Sequence, residues 1–179
     1  EKIDKAAAAM LGAAAVIFLH QITYEAAFEK IDLNVIFLLM GMMIMEMSMM
    51  DMPYGPQVLW PDHCIQGSVG AAFHENLHAD RADLIIRKGY NPAIDSYSAF
   101  FENDKTTPTG LDGYLRTRGI DTLTLVGLAT DFCVNYSAVD AAKLGFNVTV
   151  KMDLCRAIDF DGSLDAAKSA MKDAGVSLA

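Results

Sequence analysis

The chain has 179 residues, with 14 basic and 23 acidic side chains and a formal charge of −9. This length suits one domain, or one domain with a short appendage, and an apolar content of 53% excludes a disordered chain. The acidic balance argues against a nucleic-acid partner, which needs a basic face. Three scattered cysteines, Cys64, Cys133 and Cys155, are too few for a disulfide scaffold or a four-thiolate zinc site, so a reducing compartment is expected.

Residues 1–50 differ in character from the rest. Ala6–Leu19 carries no charge, and Leu33–Met45 is broken only by Asn34 and Gly41. Between them, the polar patch from His20 to Glu25 resembles a helix start with Thr23 as N-cap. Eight of the eleven methionines fall within 40–52. Neither apolar block reaches the roughly 18–20 residues that span a bilayer. No basic stretch precedes the first block, so it makes a poor signal peptide. Buried or interfacial helix and membrane origin both fit the pattern. The stretch Ile22–Met45 resembles a piece of the ion-transporter superfamily that includes arsenite and sodium/proton antiporters. That resemblance implies possible membrane association of residues 1–50 and assigns no functional residue. The boundary is expected at 50/51, giving an apolar, helical segment 1–50 and an α/β domain 51–179.

From Asp51 onward, short runs rich in branched residues alternate with helical patterns. Ala82–Arg87 and Asp121–Gly127 read as buried parallel strands. Thr130–Leu144 has apolar residues at 134, 138, 141 and 142, a helical period that Gly145 ends. Phe146–Val150 is a third strand, Gly162–Ala174 a second helix, and Val176–Leu178 the opening of a fourth strand. This order predicts an α/β domain around a mainly parallel sheet. Asn91–Gly110, with two prolines and several polar residues, reads as a long loop, the kind of segment that carries function in such folds.

Sites in open α/β sheets gather beyond the carboxyl ends of the strands. Gly127–Cys133 lies at such a place, where a strand runs into a helix. A thiol in the first helical turn meets unpaired N–H groups and the positive end of the helix dipole, which favour thiolate, the nucleophilic form. By position alone, a small buried residue is the commoner occupant. Asp131 reads first as a first-turn carboxylate that complements the dipole. Lys88, after the strand 82–87, either points into the same crevice or is a solvated charge. In Trp60-Pro-Asp-His-Cys64, His63 is either a metal ligand or a hydrogen-bonded loop histidine. Cys64 and Cys155 read as packing residues, and His74 and His78, although spaced i, i+4, as surface histidines.

Three motifs then resemble one family. Met52–Ser68, Arg87–Phe101 and Val126–Val134 are similar, in order, to bacterial nicotinamidases (pyrazinamidases) of the isochorismatase-like superfamily. The resemblance implies a three-layer α/β fold, a cytoplasmic location, and hydrolysis of the nicotinamide carboxamide to nicotinate and ammonia through a thioester. Carried over by motif, it implies Cys133 as nucleophile and Lys88 as catalytic lysine. It places an oxyanion hole at the backbone N–H groups of Ala129 and Cys133, beside a cis peptide at Leu128–Ala129. It implies that Trp60 and Tyr97 flank the pyridine ring. His63 would be one ligand of a divalent metal (zinc, iron or manganese) that binds the ring nitrogen.

Two family patterns have no match in the 179 residues. One is Asp-x-Gln-x-Asp-Phe, which carries the general base. The other is Asp-x-His with a following His, which supplies the remaining metal ligands. The sequence therefore predicts an impaired nicotinamidase whose N-terminal strands are replaced by an apolar helical segment. The alternative is a catalytically inactive fusion with a membrane-transporter-derived N-terminus. A hydrolase of isochorismate or of N-carbamoyl compounds is disfavoured by the Trp-Pro-Asp-His-Cys motif.

Overall fold

A computed structural model describes residues 48–179. The apolar blocks Ala6–Leu19 and Leu33–Met45, the helix start at Thr23 and the transporter-like stretch Ile22–Met45 lie outside the described residues. The chain divides into two compact units. Leu59–His63 belongs to one, and Met49–Val58 with Cys64–Ala179 forms the other.

The first described element is a hairpin of β1 (Ser48–Met52) and β2 (Gly55–Leu59). Only an antiparallel pair can be joined by so short a link as Pro53-Tyr54, and Gly55 supplies a φ of 117° at its exit. The end of the expected helical segment, Ser48–Met50, is thus strand. Methionine is a poor strand former, but cross-strand pairing outweighs propensity in a short hairpin.

The larger sheet is parallel in the order β3 (Thr122–Leu128), β4 (Asn147–Arg156), β5 (Ser177–Leu178). Parallel neighbours need crossover helices. These are α2 (Asn135–Lys143), between β3 and β4, and α3 (Ser163–Asp173), between β4 and β5. A short α1 (Leu111–Thr117) precedes β3. The β3–β4 register runs from Thr122↔Asn147 to Leu125↔Val150 and resumes at Gly127↔Cys155. Between those points β4 takes the longer path and bulges, just before the strand ends that position the site.

The predicted helical stripe is the core. Val134, Ala138 and Ala141 pack with Phe146, Val148 and Val150 of the β4 side and with Ala167 and Met171 of α3. Both crossover helices end as their glycines predict. Gly145 and Gly175 take positive φ. The next residues, Phe146 and Val176, donate back to the Ala141 and Met171 carbonyls at 3.1 and 2.9 Å. This is the Schellman arrangement, in which an apolar residue after the glycine closes over the helix end.

One expected strand is absent. Ala82–Arg87 forms no ladder with any described strand, and Leu84 and Ile85 are 39% and 48% exposed. Branched residues favour extended backbone, but a strand exists only with a partner, and among the described residues none pairs here. None of the described helices is long and apolar enough to cross a membrane.

The predicted loop 91–110 is ordered by its own polar contacts. Phe101 and Pro108 form an antiparallel bridge, and at the tip Asp104 accepts from the N–H and hydroxyl groups of Thr106 and Thr107. The Thr107 hydroxyl and N–H, with the Thr106 N–H, hold the Asp104 carboxyl far below the usual carboxylate range. With the folded value depressed, the tip's stabilisation is present above the ordinary carboxylate pKa. It is lost only as pH falls through the lower folded value.

Candidate active site

β3 leads directly into the site. The peptide Leu128–Ala129 is cis, as the resemblance implies, and the chain then winds through a π-turn (Thr130–Val134) into α2. The Ala129 carbonyl accepts the N–H groups of Phe132 and Val134 at 3.2 and 3.0 Å. The N–H of Cys133 lies between these two and is not one of them. Cys133 is a free, partly buried thiol at the carboxyl end of a parallel strand.

One helical turn later, Ser137 donates its hydroxyl to the Cys133 carbonyl at 2.6 Å and accepts the Ala99 N–H at 2.9 Å. A serine bonding back to the i−4 carbonyl is common in helices. Here the same oxygen also ties the thiol's turn to the loop 91–110.

Asp131 is the expected acid of the first turn, and it is buried. It is 4% exposed, and its carboxylate accepts the N–H groups of Ile158 and Asp159 at 3.1 and 2.7 Å and the Ser163 hydroxyl. It thereby anchors the β4–α3 connection, where Asp159 takes positive φ, onto the turn that carries Cys133. Asp131→Ala would remove the buried acceptor of three donors and is expected to cost about 2–4 kcal/mol of folding stability, measurable by urea unfolding. A loss under about 0.5 kcal/mol, the usual surface value, would contradict this role.

Lys88 and Cys133 line one cleft of about 420 Å³, together with Ala99, Phe100, Leu128 and Ser137. The size suits a small-molecule ligand. The Lys88 ammonium donates to the backbone carbonyls of Ser96, at 3.3 Å, and Tyr97. Tyr97 itself does not line the cleft. It is 8% exposed, its ring packs edge-on against Phe132 and Tyr136, and its hydroxyl accepts from Gln57 Nε2 at 2.9 Å. In this structure it supports Lys88 through its carbonyl.

Trp60 and His63 belong to the other compact unit. Trp60 is partly buried and His63 is exposed. His63 Nδ1 lies 2.7 Å from the Pro61 carbonyl. A carbonyl only accepts, so Nδ1 is the donor in this contact, and Nε2 is the nitrogen left to face a metal. Among the described residues no group of three or more His, Cys, Asp or Glu side chains could hold an ion. Cys64, His74 and His78 are exposed, and Cys155 is buried in the core.

Its place in the first turn after a strand's carboxyl end predicts that Cys133 is the first thiol labelled by iodoacetamide, ahead of the more exposed Cys64. Peptide mapping checks this, and preferential labelling of Cys64 or Cys155 would contradict it.

Fold and site together define an α/β protein with a thiol at a strand's carboxyl end and an ammonium lining the same cleft. The chain belongs to the isochorismatase domain family, whose model matches residues 1–179. The match includes residues 1–50, which composition sets apart. The chain is 57% identical over 125 residues to a nicotinamidase of Acinetobacter baylyi, covering 70% of this chain and 58% of that protein. Among solved structures, it is similar to an Acinetobacter baumanii nicotinamidase/pyrazinamidase, with TM-score 0.72 and 53% identity over 75% of this chain and 65% of that one. A pyrazinamidase of Pyrococcus horikoshii, solved in complex with zinc, matches with TM-score 0.56 and 32% identity over 67% of this chain and 63% of that one. In each case the match spans less than two thirds of the relative's length.

Proposed function

We propose that the chain is a nicotinamidase-type amidohydrolase that acts on nicotinamide, and also on pyrazinamide, through Cys133. The observation that carries this reading is the placement of Cys133 and Lys88 on one cleft at the carboxyl end of β3, in a chain so similar to a nicotinamidase. The Cys133 thiolate attacks the carboxamide carbon, and the carbonyl electrons move onto oxygen. The N–H groups of Ala129 and Cys133 receive that oxyanion, a contribution that is large because such donors are fixed before reaction. Collapse of the tetrahedral species breaks the C–N bond, and the nitrogen leaves as ammonia after taking up a proton. Water then attacks the thioester, releasing nicotinate and restoring the thiol.

Lys88, fixed by two carbonyls, places a positive charge on the cleft wall, where it favours thiolate. The family resemblance gives Trp60, in the other compact unit, a role toward the pyridine ring. His63 has the free Nε2 needed to ligate a divalent ion such as zinc, iron or manganese, which when bound would hold the ring nitrogen. One imidazole does not make a metal site, and none of the steps above is routed through an ion.

The test is product analysis on nicotinamide, pyrazinamide and an N-carbamoyl amine. Equal amounts of carboxylate and ammonia are expected, with both aromatic amides preferred by at least about tenfold, within the discrimination one pocket supplies. Preference for the N-carbamoyl compound would overturn the assignment.

A further inference from the structure

We infer that Gln57 is a positioning residue for Lys88, acting through the backbone of residues 95–97; the inference rests on the reading of Lys88 and Cys133 given above. Gln57 lies in β2 and is 5% exposed. Both ends of its amide are used. Nε2 lies 2.8 Å from Asp95 Oδ2, 2.9 Å from Tyr97 Oη and 2.9 Å from the Val58 carbonyl, its two N–H groups shared among three acceptors. Oε1 accepts from Asn103 Nδ2 at 2.9 Å and from Tyr54 Oη at 3.5 Å.

Apart from Val58 and Tyr54, these partners all belong to the short stretch from Asp95 to Asn103. That stretch is gripped again from the same network. Asn103 Oδ1 accepts the Tyr97 N–H at 2.9 Å, the Asn103 N–H donates to the Asp95 carbonyl at 2.8 Å, and Tyr54 Oη accepts the Asp95 N–H at 3.1 Å. Side chains and N–H groups of the segment are thus engaged by the network, while the carbonyls of Ser96 and Tyr97 accept the Lys88 ammonium.

Among the described residues, the acceptors of Lys88 are these carbonyls and not a carboxylate. A carbonyl pair holds an ammonium by geometry more than by charge, so where residues 96 and 97 stand decides where the charge sits. An amide is suited to this. It fixes donors and acceptors at once without adding a charge of its own to a buried site.

The test compares the full chain with Gln57→Leu, which keeps the bulk and removes the amide, each with and without Lys88→Met. Two rates are read by peptide mapping. One is acetylation of Lys88, normalised to the exposed Lys143 and Lys172. The other is alkylation of Cys133. Gln57→Leu is expected to raise Lys88 acetylation and lower Cys133 alkylation, each by about five- to tenfold, the scale of one lost hydrogen bond of ordinary strength. In the Lys88→Met background it should slow Cys133 no further.

Unchanged Lys88 acetylation would overturn the inference. Equal slowing of Cys133 with and without Lys88 would overturn it too, since that is what a general loosening of the fold produces. If Gln57→Leu does not fold, Asn103→Ser removes the acceptor of the Tyr97 N–H and must give the same two shifts; their absence overturns the inference. If Lys88→Met alone leaves Cys133 alkylation unchanged, the assigned role of Lys88 toward the thiolate fails. The acetylation rate still decides whether Gln57 holds the lysine.

Discussion

Cys133→Ala is expected to reduce nicotinamide hydrolysis by more than about 10³-fold, to the level of a buffer blank. The cleft, the Lys88 ammonium and the Ala129 N–H group would still bind and polarise an amide. Nothing else among the described residues lining the cleft is a nucleophile placed in a turn at a strand's carboxyl end. Without the thiol, the path through two easier acyl-transfer steps closes, and only direct attack by water remains. Ammonia release followed over hours on both proteins checks this. A variant that keeps a tenth of the original rate would show that the reaction does not pass through Cys133.

The second large effect concerns the chain itself. The Asp-x-Gln-x-Asp-Phe pattern, which carries the general base in the family it resembles, occurs nowhere in the 179 residues. On the reading that no side chain of this chain takes that role, proton removal from the thiol and proton delivery to the leaving nitrogen fall to solvent. A positioned acid–base group is worth about 10²- to 10⁴-fold. The 179-residue polypeptide is therefore expected to turn over nicotinamide at least about 100-fold more slowly than a relative with that pattern, assayed side by side. Turnover near 1 s⁻¹, the low end for typical enzymes, would show that a side chain of this chain supplies the base.

What could be read in advance follows the range of the forces involved. Helices and strands from residue 121 onward are set by local periodicity and by glycines directly before the next apolar position. Their ends fall close to where the pattern places them except in β4, which runs on from the expected Val150 to Arg156 past its bulge. Thr130–Leu144 was expected as one helix, and it begins instead as a π-turn, because the Ala129 carbonyl takes the Val134 N–H. Ala82–Arg87 has the composition of a strand but no ladder partner among the described residues, and no local pattern reports a partner.

Position left Cys133 and Lys88 open and the motif singled them out; both line the cleft. The roles of Asp131, Ser137 and Gln57 were not legible. Their work is done by hydrogen bonds to residues 27 to 40 positions away, and a buried acceptor and an exposed one have the same letter. For Asp131 the only available sign was an acid at a helix start followed, after β4, by the turn-forming Asp159–Ser163. For Gln57 it was an amide on a short strand otherwise poor in polar side chains. Tyr97 carries the opposite lesson: the motif suggests a ring-binding aromatic, and its side chain is buried in a polar network and does not line the cleft.

The covalent route through Cys133 is tested most directly by trapping the acyl group. The purified chain is incubated with nicotinamide and hydroxylamine, which captures thioesters as hydroxamates, and the products are separated by chromatography. Nicotinohydroxamate is expected to form with the unaltered chain, to grow at the expense of nicotinate as hydroxylamine is raised, and to vanish in Cys133→Ala. Nicotinate formed at a rate that hydroxylamine does not divert, or hydroxamate formed equally by Cys133→Ala, would contradict a thioester on Cys133.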